Sequence, residues 1–310
     1  MTPSQPLYAT SKPAKPLESI DFRTIQEPLE GLLRNMDEDL KRGIRELQEA
    51  GAGIDRYREL TMLLIMLRFA HNSYQALAFL LSDLDPHPKR LPRYVLIVPA
   101  VNRQIMDLWF SLVYIMDDFE DRILLYEQIA YRQLREQIDK VRKRHASDPE
   151  WDDWFHDMEE TARMMEGQVH LSDEQRLDPS KVIPSWPHSH DLSTRASRSQ
   201  DFLRFLDEEI YGEVSIAAHL KPSGLMHVAG IVLSDIAPEH YKKLVEERTI
   251  HQYKFRNYFH TVIILLGIIS EIEMHCKLGN GEQIARVWKR ISRNADAKDI
   301  YDFRYKQHFP

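Results

Sequence analysis

Two stretches of this chain place chemically capable side chains one helical turn apart. In VNRQIMDLWFSLVYI, Arg103 and Asp107 are four residues apart inside an otherwise apolar run. In YGEVSIAAHLKP, Tyr211, Ser215 and His219 follow one another at four-residue steps, and Pro222 comes soon after. A four-residue step on an α-helix overshoots a full turn by about 40°, so each set lies along one helical face. A charge in apolar surroundings is costly unless it is paired. Arg103 and Asp107 therefore read in two ways. They form an internal ion pair that fixes helix register, or Asp107 holds Arg103 toward an anionic substrate. The Tyr–Ser–His face also has two readings: a polar seam whose members bond one another, or a group that orients a phosphate or a 2′-hydroxyl. His219 falls in the last turn before the proline, where the helix dipole favours imidazolium.

Three other groupings are weaker. FRNYFH sets Arg256 and His260 one turn apart, an arginine suited to phosphate beside a histidine suited to general acid–base work. The plainer reading is a surface arginine next to a half-buried histidine. SEIEMHC places Glu271 and His275 on one face, and an ion pair near a helix end is the simpler expectation. HSHD (His188, His190, Asp191) reads as a solvated polar loop, because further ligands at fixed spacings are not evident. The sequence has no Gly-rich phosphate loop, no dinucleotide fingerprint, no paired-cysteine zinc pattern and no zincin helix.

The elements that must position these residues are helical. With 11 glycines in 310 residues and no sustained two-residue alternation, the pattern predicts an all-α bundle of about eight helices. One short strand is possible at Tyr94–Val98. Residues 1–16 are proline-rich and polar and read as a disordered leader. Residues 17–294 read as one helical domain, Gly51 and Gly53 closing its first helix. A long irregular insertion is expected at about 168–200, around Pro179, Pro184 and Pro187, and residues 295–310 read as a C-terminal tail. The run VIILLGII (Val262–Ile269) is too short to span a bilayer and reads as a buried helical segment. One cysteine, Cys276, excludes an intramolecular disulfide framework, and a cytoplasmic setting is expected. The net charge of −7 disfavours a uniformly basic nucleic-acid coat but leaves room for a local basic groove.

Taken together, the two leading stretches resemble a bacterial family of uncharacterised all-helical proteins. The resemblance rests on Arg103 with an acidic residue four later, then Tyr114–Ile115, the pair Asp117–Asp118, and Arg122 with Tyr126. It continues with Tyr211, Ser215, His219 and the following proline, and covers roughly residues 55–275. At Asp107 the family more often carries glutamate. This pattern is in turn similar to HEPN domains, helical proteins of toxin–antitoxin and abortive-infection systems, many of which are metal-independent ribonucleases. The resemblance implies a defence effector that cleaves RNA through its 2′-hydroxyl. His219 would be the acid or base, Arg103 the phosphate clamp held by Asp107, and Tyr211 and Ser215 the orienting groups. Arg256 and His260 are an alternative pair, one residue short of the HEPN Arg–His spacing. The implied partners are RNA or a nucleotide, a second copy of the chain, and a protein partner such as an antitoxin. No cofactor, metal or membrane is implied. The alternative is a non-catalytic helical sensor or scaffold.

Overall fold

The computed structural model describes residues 23–51, 54–81, 96–212, 214–215, 238–239 and 251–310. Within these it is all-α, with twelve helices and no strand. The helices are α1 (Arg23–Glu49), α2 (Ile54–Leu81), α3 (Val98–Met116), α4 (Phe119–His145), α5 (Asp152–Gln168), α6 (Asp173–Leu177), α7 (Pro179–Val182), α8 (Ser189–Arg195), α9 (Gln200–Leu206), α10 (His251–Cys276), α11 (Gly281–Ile291) and α12 (Ala295–Ile300). The strand considered at Tyr94–Val98 is not seen where the chain is described. Leu96–Ile97 form a 3₁₀ turn and Val98 opens α3, while Tyr94 and Val95 lie outside the described residues. Pro99 at the second helical position explains this outcome, since its fixed φ suits a helix start. The leader at 1–16 also lies outside them.

The expected single domain divides into two compact units, one made of residues 1–109 and 205–310, the other of residues 110–204. In the first unit α1 packs on α2, α2 on α10, and both α1 and α10 on α11. The sequence of α1 explains its part. Ile25, Leu29, Leu32, Leu33, Met36 and Leu40 recur at three- and four-residue steps, and all are fully buried. Gly51, at φ +61°, ends that helix in the left-handed conformation that glycine adopts most easily. The apolar stretch of α10 is longer than the VIILLGII run suggests. Phe255–Cys276 is long and apolar enough to cross a membrane, yet 83% of its most apolar window is buried inside the fold. It is a core helix.

Near the middle of α10, Gly267 lets the Trp109 indole lie directly against the helix backbone. The Trp109 Nε1–H donates to Tyr305 Oη at 3.3 Å, and that hydroxyl donates to Glu271 Oε1 at 2.8 Å. The residues read as a C-terminal tail supply this contact. Asn294 caps α12, its side-chain oxygen accepting from the amides of Asp296 and Ala297. The chain then makes a π turn over Tyr301–Tyr305. Tyr301, Tyr305 and Phe309 are buried. Aromatic anchors dock this end, where only polarity and position had suggested a tail.

The second unit is built on α4, which packs on α5 and α7. Its core joins Ile129 and Tyr131 to Val169, Leu171 and Ile183, with Trp186 against them. The region expected to be irregular therefore carries short helices and part of a core. Ser172 and Gln175 form a reciprocal capping box at α6, and Pro179 occupies the first position of α7. Helices of four to seven residues are too short to show a hydrophobic period, and their prolines start helices rather than break them.

Candidate functional site

In the first unit, Arg103 and Asp107 on α3 meet Tyr211 and Ser215, more than a hundred residues away in sequence. Arg103 Nε donates to both carboxylate oxygens of Asp107, at 3.0 and 3.1 Å. Its Nη1 donates to Ser215 Oγ at 2.5 Å. The Tyr211 hydroxyl donates to Asp107 Oδ1 at 3.2 Å, and the Arg103 guanidinium carbon stands 3.8 Å over the Tyr211 ring. The guanidinium is thus stacked on one face and bonded at two edges, which fixes both its position and its plane. The Arg103 side chain is 19% exposed and Asp107 is 43% exposed, so the cluster reaches the surface.

Local backbone geometry helps to place it. After α9, residues Asp207–Tyr211 form a π turn that ends on Tyr211, with helical geometry resuming at Gly212. Such single π turns inside helices are rare and cluster at functional sites. The energetics also bear on the reading. A partly exposed ion pair one turn apart on a helix contributes about 0.3–0.5 kcal/mol, and an exposed cation–π contact about 0.5–1 kcal/mol. These are small returns for placing four polar groups together, so fold stability alone does not account for the cluster. His219 and Pro222 lie outside the described residues.

The alternative pair is split by its environment. Arg256 is exposed, whereas His260 is buried. Burial, assisted by the Arg256 charge, pushes the His260 imidazole down to about 4. At neutral pH it is uncharged and enclosed in the core, a poor position for proton exchange with a substrate. Next to it, Asn102 and Thr261 form a buried polar joint between α3 and α10. Asn102 Nδ2 donates to the Asn257 carbonyl at 2.9 Å, and Thr261 Oγ1 bonds Asn102 Oδ1 at 2.7 Å.

The expected Glu271–His275 pair does not form as read. Glu271 turns to Arg304, accepting from Nε at 2.5 Å and Nη2 at 2.8 Å. His275 Nε2 instead bonds Glu59 of α2, which also pairs with Arg56. Of the HSHD residues, His188 is the N-cap position of α8, and Ser189–Arg195 are helical rather than an open loop. Among the described residues, no group of three His, Cys, Asp or Glu side chains is arranged to hold a metal ion.

The remaining residues behind the family resemblance fall in the second unit and have partners there. The buried Asp117 carboxylate accepts from the amides of Ser197 and Ser199 at 2.9 and 3.2 Å, and from Ser199 Oγ at 2.6 Å. These bonds, together with the Arg122 charge, hold its carboxyl below the usual range although burial opposes them. Arg122 lies over the Tyr114 ring, and Tyr126 meets Trp186 edge-on at 4.9 Å. This group ties α3 and α4 to the 183–199 segment. Ser199, Trp186, Glu59 and Arg304 had no local signal in sequence, because each finds its partner at least 30 residues away. Comparisons with family models, with curated proteins and with solved structures returned no match for this chain.

Proposed function

We propose that the Arg103–Asp107–Tyr211–Ser215 cluster is a phosphoester-recognition site of a HEPN-like helical effector acting on RNA. The observation that supports this most is the oriented guanidinium, stacked on Tyr211 and held by Asp107 at a partly exposed position. A guanidinium held in this way suits a phosphate, because its geometry is set before the anion arrives. In this reading Arg103 clamps the phosphate and Asp107 and Tyr211 hold Arg103. Ser215 gives up its bond to Nη1 and orients the ribose. His219, four residues beyond Ser215 in sequence, serves as acid or base without a metal.

The test is incubation of the purified protein with RNAs of varied sequence and structure, in chelator and separately with divalent cations. Cleavage by the wild type that survives chelation, and is lost in His219→Ala and Arg103→Ala, is the expected result. Absence of cleavage under every condition refutes the catalytic role. A second reading has its own supporting observation: both Nε and Nη1 of Arg103 are already engaged by this chain's own Asp107 and Ser215. On that reading the cluster is a fixed joint in a non-catalytic binding or sensor protein. Arg103→Lys then lowers stability but changes no RNA-directed activity.

A further inference from the structure

The last turns of α4 carry the sequence KVRKRH, from Lys140 to His145, with four formally basic side chains and no acidic one. Basic residues at a helix C-terminus are ordinary, since they complement the dipole. Two features set this group apart. Lys140, Lys143 and Arg144 do not simply fan into solvent. They line an open cleft of about 320 Å³ whose far wall includes Ser180 of α7. The carboxylates in the same lining, Glu136 and Asp139, are drawn to other arginines. Glu136 pairs with Arg132 at 2.7 Å, and Asp139 approaches Arg142 at 3.9 Å. Three exposed cations therefore face a common space.

The second feature is aromatic. Directly after the basic run, the His145 ring stacks on Trp151 with centroids 4.3 Å apart and planes inclined by 17°. Trp154 meets Trp151 edge-on at 5.8 Å, and Phe155 continues the row at 5.3 Å from Trp154. His145, Trp151, Trp154 and Phe155 are all half-buried, so each keeps an exposed part. A cationic groove beside a row of rings is the combination that holds single-stranded nucleic acid: phosphates follow the charges and bases stack on the rings.

We propose that this α4–α5–α7 surface binds single-stranded RNA, with Lys140, Lys143 and Arg144 on successive phosphates and the Trp151 row receiving bases. The choice of RNA rests on the function proposed above, but the site is separate from the Arg103 cluster. Its test reads binding rather than cleavage, so the two proposals fail independently.

The test is fluorescence anisotropy of a 5′-labelled twelve-nucleotide oligouridine with the full chain carrying His219→Ala, so that the probe stays intact. Three released counterions on a single strand give a log–log salt slope contribution of about −2, or roughly 20-fold in affinity between 50 and 200 mM salt. The variant Lys140→Ala/Lys143→Ala/Arg144→Ala should lose about that factor at low salt and flatten the slope by about 2. Removing equal charge at Lys289, Lys298 and Lys306 should leave the slope within about one of its original value. Trp151→Ala should weaken binding roughly tenfold with the slope unchanged. Far-ultraviolet circular dichroism confirms that each variant folds. The proposal is overturned if the probe does not bind at 50 mM salt, or if the triple variant binds like its parent. It is also overturned if a duplex of the same length or a polyglutamate peptide competes as well as the single strand.

Discussion

Replacing Gly267 by alanine tests the packing that joins α3, α10 and the C-terminal turn. An added methyl would fall inside the van der Waals envelope of three Trp109 ring carbons, the farthest only 2.9 Å away. Carbon atoms rest at about 3.5–4.0 Å, so the indole must retreat by roughly 1 Å or more. It has no room for this, because Trp109 is 0% exposed. Retreat also stretches the bond from Nε1 to Tyr305, whose own hydroxyl serves the buried Glu271. Overpacking costs about 1–3 kcal/mol, and a buried polar group losing its partner about 1–3 kcal/mol more. We expect Gly267→Ala to destabilise by about 3–5 kcal/mol. In a unit of about two hundred residues that lowers the transition by roughly 10 °C. Calorimetry together with urea unfolding reads both values. Trp109→Phe removes the ring atoms that clash, so adding it to Gly267→Ala should cost less than the sum of the single changes, with a coupling of about 2 kcal/mol. A Gly267→Ala protein within about 0.5 kcal/mol of wild type, or strict additivity of the two changes, would refute the packing argument.

Three further outcomes follow from buried charges. Arg304→Ala leaves the Glu271 carboxylate, 1% exposed, without its cation and should destabilise by about 3–5 kcal/mol in urea titrations. His260 protonates near 4 in the fold, against its ordinary 6.5, so the folded state resists a proton that the unfolded chain accepts. Stability should therefore fall as pH drops below 6.5, by about 2 kcal/mol between pH 7.5 and 5, and His260→Gln should remove that dependence. Glu273 has the opposite sign: burial raises its carboxyl, only partly offset by the amides of Gly279 and Asn280, and its Oε2 is buried without a partner. Its protonated form is favoured on folding, so its contribution is present at low pH and lost as pH rises through the raised value. Glu273→Gln should thus be more stable than wild type by about 1 kcal/mol at pH 8, and the difference should vanish on acidification.

How much of this was legible in sequence depended on the distance between partners. The helices α1, α2 and α10 announced themselves through apolar spacing over many turns. The four-residue steps Arg103–Asp107 and Tyr211–Ser215 were visible because a helix converts spacing into a shared face. That the two faces meet was suggested only by the resemblance, and it depends on packing that no local pattern encodes. Glu271 and His275 show the same limit from the other side. Their spacing suited a mutual pair, but Arg304 and Glu59 arrive from other helices and offer each a closer partner. His260 had the right neighbour in sequence, and the core around it removed its charge. Residues 168–200 and 295–310 were misjudged because capping side chains and single aromatic anchors order short segments without a periodic signal.

The π turn at Asp207–Tyr211 makes the site unequally tolerant of two kinds of genetic change. A π turn accommodates one residue more than the surrounding α-helix would. Deleting a single residue from it would return the segment to α geometry and rotate everything beyond by about 100°. Tyr211 and Ser215 would then swing away from Asp107 and Arg103, although every chemical group of the cluster remained in the chain. Exchanging one side chain for another within Asp207–Ile210 leaves the count, and so the phase, intact. In a library of single-codon deletions and substitutions across this segment, loss of the site should track frame-preserving deletions far more closely than changes of residue type.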